Sequence, residues 1–472
     1  MKFDRSRYAL ALPLLAAVFA LAALLFWWAH PGEDTLSERL PGADQPPGAD
    51  GAAAVNPILS GHLIQSHAQP GNLPGFWPQF RGPNRDGISP ETTPLARSWD
   101  AAGPRQLWAV DCGEGYAGVA VRDGRVYLMD YDYDKKQNAL RCLSLADGGE
   151  IWRYAYTLPV KRNHGMTRTV PAVSDKFVVA MDPKCHVLCL DAATGELRWG
   201  MNLVAEFGAS VPPWYAGQCP LIDGKTVILA PGGHEAMLAA VDLETGKPLW
   251  RASNPHDWKM THSSIMPMEF VGRRFYVYCG SGGVAGISAQ DGTLLWETGA
   301  WKISIATVPS PLVLEGGKIL LAGGYNAGSL LLQLQDQGGK LVPQTLWKLG
   351  PEVFGATQHT PIFHDGRLFG TRPNGQFVCL GLDGKVLWAS PVGDPFGLGP
   401  FLFADGLFFV MNDSGKLSLV EESSTRFHLL AQAQVLQGRE SWGPMALVGG
   451  RLLARDFTRL VCLDVSSPSQ TK

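Results

Sequence analysis

The sequence predicts an all-β fold, an eight-bladed β-propeller of four-stranded antiparallel blades. Three observations predict it. A hairpin ending in tryptophan recurs along the chain, a shorter hairpin precedes each copy, and the two ends of the repeat array are complementary fractions of one blade.

The tryptophan hairpin is clearest at residues 187–199. Val187, Leu188, Cys189 and Leu190 form an apolar, β-prone run, Asp191 opens a turn, Thr194 and Gly195 close it, and Trp199 ends the return strand. Glycine suits the turn because it takes a positive φ without a Cβ clash. The same spacing runs from Asp242 through Gly246 to Trp250, from Gly292 to Trp296 and from Gly148 to Trp152, while Gly384 before Trp388 belongs to a turn one residue shorter. Trp108 and Trp347 keep the tryptophan without the turn, and Phe427 is expected to stand in for an eighth. These positions lie 39 to 51 residues apart, a period that fits one propeller blade.

The inner hairpins begin near residues 118, 170, 219, 265, 308, 360, 400 and 443. Each has two short apolar runs around a tight turn, often Asp-Gly or Gly-Gly, and prolines fall at strand starts, where a missing N–H is tolerated. The last pair is followed by a third strand at residues 460–464, whereas the first tryptophan strand, residues 106–110, has no inner strands before it. One N-terminal and three C-terminal strands therefore complete a blade and close the ring, which removes two exposed edges. Residues 105–472 are assigned to this propeller.

Gly 55, Pro 34 and Trp 15, with 18% charged residues, suit many short strands and turns rather than helices. A net charge of −3 gives no electrostatic basis for binding nucleic acid. Cys142, Cys189, Cys379 and Cys462 occupy the same point of the third strand in different blades, so a blade spacing separates them. Cys185 and Cys189 lie about 13 Å apart along one extended strand. Buried free thiols are expected, not disulfides. Cys185 beside His186 has poor ligand spacing, and no metal site is predicted.

Residues 8–29 carry no charge and are long enough to cross a bilayer as a helix. Lys2, Arg5 and Arg7 before them, with Glu33 and Asp34 after, predict the N-terminus inside. An uncleaved anchor in residues 1–30 would hold the propeller on the periplasmic side of the inner membrane. A cleaved export signal is the alternative and gives a secreted or periplasmic protein. The Pro-, Gly- and Ala-rich residues 31–75 are expected to form a flexible tether. Residues 76–104 read as a clasp across a blade end, with Arg81 and Arg85 as candidates for a ligand or partner surface.

The repeat Cys-Leu-Asp-x-x-Thr-Gly-x-x-x-Trp, seen at residues 189–199, resembles that of the pyrroloquinoline-quinone-like propellers. The opening Trp-Pro-Gln-Phe-Arg-Gly-Pro-Asn-Arg-Asp-Gly at residues 77–87 resembles a bacterial branch of the same superfamily, and the likeness covers about residues 76–465. That superfamily includes quinoprotein alcohol dehydrogenases and the propeller lipoprotein of the bacterial outer-membrane β-barrel assembly machinery. The dehydrogenase likeness implies a catalytic Asp, a calcium held by acidic and amide side chains, and a vicinal Cys-Cys disulfide. No adjacent cysteines and no Cys-x-x-Cys-His occur in this chain. A general base can be nominated only by position, as Glu114 or Asp394.

Loops from each tryptophan strand to the next inner strand lead towards the axis on one face. They carry Glu114, Tyr116, His164, Arg168, Trp214, Gln218, His262, His359 and Trp442, which are expected to converge on a funnel suited to a small anionic or aromatic ligand. Gly-x-Ser-x-Gly, His-Glu-x-x-His and phosphate-loop motifs are absent. No catalytic residue is assigned. The sequence reading is a membrane-tethered, monomeric, non-enzymatic scaffold that binds a protein partner in the cell envelope and uses no cofactor. The alternative is an oxidoreductase dependent on pyrroloquinoline quinone with calcium, or on another metal, with its site in the funnel.

Overall fold

Eight antiparallel blades close into a ring in the computed structural model, which describes residues 17–26, 56–90, 92–100, 102–393 and 395–467. Blade 1 runs outward from the axis through Val119–Arg122, Arg125–Asp132, Gln137–Ser144 and Glu150–Thr157. The innermost and outermost strands of blades 2 to 4 are Ala172–Val173 and Leu197–Asn202, Leu221–Asp223 and Pro248–Arg251, and Met266–Phe270 and Leu294–Thr298. For blades 5 to 7 they are Leu312–Leu314 and Lys340–Leu349, Ile362–His364 and Val386–Ala389, and Phe401–Ala404 and Leu429–Gln434. Blade 8 joins Ala446–Val448, Arg451–Arg455 and Arg459–Asp464 to the N-terminal strand Arg105–Asp111. The closure expected from the repeat is therefore present.

The core lies in the seams between blades, and the tryptophan hairpins build it. On the outermost strand each tryptophan pairs across to the third strand, opposite Cys142, Cys189, Cys379 and Cys462 in blades 1, 2, 6 and 8. A bulge follows at once in the register, and it turns the indole towards the next blade. There the indole N–H of Trp199 donates to the Leu243 carbonyl at 2.9 Å, Trp108 to Leu145 at 3.0 Å, and Trp388 to Ser423 at 2.8 Å. The turn glycine of the next hairpin receives the ring. A Cβ on Gly246 would sit 2.7 Å from Trp199, so this φ of +70° position is glycine for contact as well as for conformation. All eight cysteines are free thiols. Burial pushes Cys142, Cys185 and Cys189 well above the usual thiol range.

Replacing Trp199 by Ala is expected to cost about 3–5 kcal/mol, because the indole is 8% exposed and holds two blades together. Urea denaturation measures this, and a loss below about 1 kcal/mol would contradict the seam role.

Phe427 does not occupy the eighth tryptophan position. The register places Ala431 opposite Leu419 there, while Phe427 precedes the strand and packs on Trp388 with centroids 5.9 Å apart. An aromatic near the right spacing was mistaken for the repeat residue because the blade 7 turn is longer than its homologues.

Residues 56–75, expected to be flexible, are built into the ring, whereas 31–55 fall outside the described residues. His62–Gln65 pairs antiparallel with the outer strand of blade 1 as a fifth strand. Ile58, fully buried, lies against Gly200 of blade 2. The chain then passes the Gly124 turn of blade 1, where the Gly71 N–H donates to the Gly124 carbonyl at 3.0 Å, and Phe76–Trp77 pairs with the innermost strand of blade 1.

The clasp is a plug inside the ring. The Pro78 carbonyl accepts from Val173 in blade 2, Arg85 reaches Pro220 before blade 3, Arg81 reaches Thr360 and Pro361 before blade 6, and Ile88 bridges to Phe403 in blade 7. Arg81 and Arg85 are therefore not a partner surface: they are 7% and 1% exposed. Both take a left-handed φ, 63° and 59°, which winds the plug tightly enough to turn their side chains inward. The innermost strands leave carbonyls at the channel wall, and the two guanidiniums supply the missing donors.

Residues 17–26 are helical, and the rest of the expected anchor lies outside the described residues. Among the described residues no helix is long and apolar enough to cross a membrane.

Candidate functional site

A belt of hydrogen bonds ties five blades together at the throat of the funnel. At the start of each inner strand, a backbone N–H donates to the side chain at the equivalent position of the next blade. Val170 donates to Cys219 Sγ at 3.2 Å, Cys219 to Ser264 Oγ at 2.9 Å, Ser264 to Ser310 Oγ at 3.0 Å, and Ser310 to Thr360 Oγ1 at 2.8 Å. Cys219 and Ser264 also line the channel, and the interblade loops lead into these positions.

Those loops enclose a cavity of about 360 Å³. Tyr116, His164, Arg168, Trp214, His262, His359 and Trp442 line it, so seven of the nine sequence candidates converge as expected. Glu114 does not reach the cavity, because its carboxylate pairs with Arg162 at 3.0 Å. Gln218 is turned away and wholly buried, its amide donating to the Ala230 carbonyl. Asp394 lies outside the described residues. Phe80 and Tyr325 are among the lining residues outside that candidate set. Phe80 comes from the plug, whose place inside the channel has no repeat signature, and Tyr325 comes from the hairpin between the second and third strands of blade 5 rather than from an interblade loop.

Close backbone approach shapes the walls. A Cβ on Gly217 would lie 2.7 Å from the His262 ring, and one on Gly165 would lie 2.9 Å from Tyr116. The Tyr116 and Trp442 rings stack at 5.3 Å and 28°, and each is anchored by an acid outside the lining: Tyr116 donates to Glu440 at 2.6 Å, and the Trp442 indole to Asp413 at 2.7 Å. Burial and the Glu440 carboxylate push the Tyr116 phenol well above its usual range, so it stays a neutral donor.

Two of the imidazoles, those of His262 and His359, stay neutral too. His262 bonds to the Tyr215 carbonyl through Nε2 at 2.9 Å, so Nε2 carries the proton and Nδ1 is an acceptor. Burial, with the Arg168 cation beside it, pushes its pKa down to about 4. Burial and the Arg81 cation push His359 down to about 3, and its buried Nε2 makes no hydrogen bond. Arg168 supplies the guanidinium of the lining, and among the described lining residues there is no carboxylate.

A family model described as outer membrane protein assembly factor BamB matches residues 135–382. No curated protein matches the chain. Among solved structures, BamB from Moraxella catarrhalis is 15% identical over 76% of this chain and 99% of its own, with a TM-score of 0.54. A europium-containing methanol dehydrogenase is 15% identical over 83% of this chain and 89% of its own, with a TM-score of 0.58. The quinohemoprotein alcohol dehydrogenase ADHIIG from Pseudomonas putida HK5 is 13% identical over 85% of this chain and 81% of its own, also with a TM-score of 0.58. At these identities the likenesses show the propeller fold alone.

Proposed function

The chain belongs to the outer membrane protein assembly factor family, and from that premise we propose that it is a non-enzymatic scaffold in the cell envelope, which binds protein partners through its blade edges and loops. One observation carries the reading: a blade edge already accepts an extended segment. His62–Gln65 augments blade 1 in cis with a four-residue antiparallel register. The outer strands of blades 3, 5, 6 and 7 present exposed Leu249, Leu346, Leu387 and Leu429 beside unpaired backbone groups, the chemistry that captures a partner strand. The propeller acts as a monomer on the periplasmic side, tethered through the uncharged residues 8–29.

The redox alternative lacks support from the funnel. Calcium takes six to eight oxygen ligands with carboxylates prominent, and the described lining holds no carboxylate but a guanidinium, imidazoles and a few uncharged oxygens such as those of Ser264, Thr357 and Gln358. The quinone-calcium pair does not fit this donor set. Affinity capture from crosslinked envelopes is expected to recover outer-membrane assembly components with the full chain. Stoichiometric calcium-dependent binding of the quinone, with dye reduction and no captured partner, would overturn the scaffold reading.

A further inference from the structure

We propose that the funnel is a binding site for a small planar aromatic carboxylate, held by the Arg168 guanidinium and stacked on the Tyr116–Trp442 wall. This goes beyond the scaffold reading and stands without it, since it concerns the axis rather than the blade edges.

Arg168 is built in but unsatisfied. Its Nη1 is buried with no hydrogen-bond partner, and Nη2 has only a long 3.4 Å bond to the Asn163 carbonyl. It also faces the Tyr116 ring, 5.6 Å away, and lies near Tyr215 and the neutral His262. No carboxylate among the described residues forms an ion pair with it. A buried guanidinium left this way costs free energy in the free protein, which an incoming carboxylate would offset by bidentate pairing. Burial pushes the Arg168 pKa down to about 10.

The field beneath the site has the same sign. Arg81 and Arg85 lie buried in the plug under the cavity floor, and neither forms an ion pair with a carboxylate among the described residues. Arg85 keeps Nε and Nη2 unpartnered, and it lies 5.8 Å from the ring of Phe80, the floor residue. Asp86 opposes Arg81 in part, with its Oδ1 engaged by the Ile88 N–H at 2.9 Å. Arg168 in the lining and the two plug guanidiniums bring positive charge to the cavity, while the Glu440 and Asp413 carboxylates are engaged by Tyr116 and Trp442 outside the lining. With His262 and His359 neutral, Arg168 is the guanidinium that touches the ligand space among the described lining residues.

Shape and hydrophobicity choose among anions. Phe80, Trp214 and the stacked Tyr116–Trp442 pair offer flat faces, and about 360 Å³ suits a ligand of one or two rings. One guanidinium matches one carboxylate. A phosphate dianion or a tricarboxylate would bring further charges that the neutral His262 and His359 do not balance.

The test compares 2-naphthoate with 2-naphthalenemethanol, which keeps the rings and removes the charge. Binding to the purified full chain is followed by calorimetry and by quenching of tryptophan fluorescence, since Trp214 and Trp442 line the site. Naphthoate is expected to bind about 10- to 100-fold more tightly than the alcohol, the range for one charge-assisted pair. Arg168→Met should abolish that preference. Equal affinity for the two probes on the unaltered protein would overturn the proposal, whatever the folding of the variant. Tighter, calcium-dependent binding of pyrroloquinoline quinone would also overturn it, in favour of a cofactor site.

Discussion

An Arg81→Ala variant is expected to lose on the order of 3 kcal/mol or more of stability, and to loosen the plug rather than the blades. The guanidinium donates to the Arg85 and Asp86 carbonyls within the plug and to the Thr360 and Pro361 carbonyls of the wall, the last at 2.8 Å. Charge-assisted bonds to carbonyls are individually stronger than neutral ones. Their loss would leave four backbone acceptors short of donors, three of them in buried bonds. Hydrogen exchange should show the change at residues 78–90 and at the start of blade 6, with the outer strands protected as before. A variant as stable as the parent would mean that the plug is an ornament on a self-sufficient ring.

Acid is the second large lever. The funnel histidines have folded pKa values of about 4 for His262 and about 3 for His359, against an ordinary 6.5. Below pH 6.5 the unfolded chain takes up protons at these residues that the folded chain refuses. Stability is therefore full above pH 6.5, and it falls as the pH drops towards the folded values, by about 1.4 kcal/mol per unit for each histidine. Between pH 6 and 4.5 the two together should remove several kcal/mol. Carboxylates held low by hydrogen bonds, such as Asp191 with Arg198 and Thr194, act only further down the scale. Urea midpoints of the parent and of a His262→Gln, His359→Asn double variant, measured at pH 7.5 and 4.5, separate the two sources. An acid loss of the same size in the double variant would assign the effect elsewhere.

The ring was legible in the sequence because each blade is a local unit. A turn glycine, a tryptophan four residues on and an inner hairpin upstream suffice to place four strands, and the register confirms them even at the split blade closed by Arg105–Asp111. Convergence of the interblade loops followed from the repeat, which is why His262 and Arg168 were found. The plug was not legible, because it occurs once. Residues 76–90 carry no period to compare, and nothing local distinguishes an arginine aimed at solvent from one aimed at Thr360, distant by 279 positions in the chain. The same holds for His62–Gln65, whose strand character comes from the edge it meets rather than from its composition. Phe427 shows the opposite error, in which a periodic expectation was extended over a turn of different length.

The plug also sets the order of events in folding. Arg81 must be inside before Arg105 and Asp464, which are 359 residues apart, bring blade 8 together. Closing a loop of that length costs about 5 kcal/mol of chain entropy by ideal scaling, and such non-local steps are slow. Blades 2 to 7 can assemble neighbour by neighbour as the chain emerges, forming an open arc whose axis is still accessible. The N-terminal segment must wait within that arc for strands made hundreds of residues later. The last step, strand 105–111 docking on 459–464, then traps the plug mechanically, so the closed molecule should release it only by opening a blade. Resistance to unfolding would then be governed by the rate of that opening more than by the depth of the energy well.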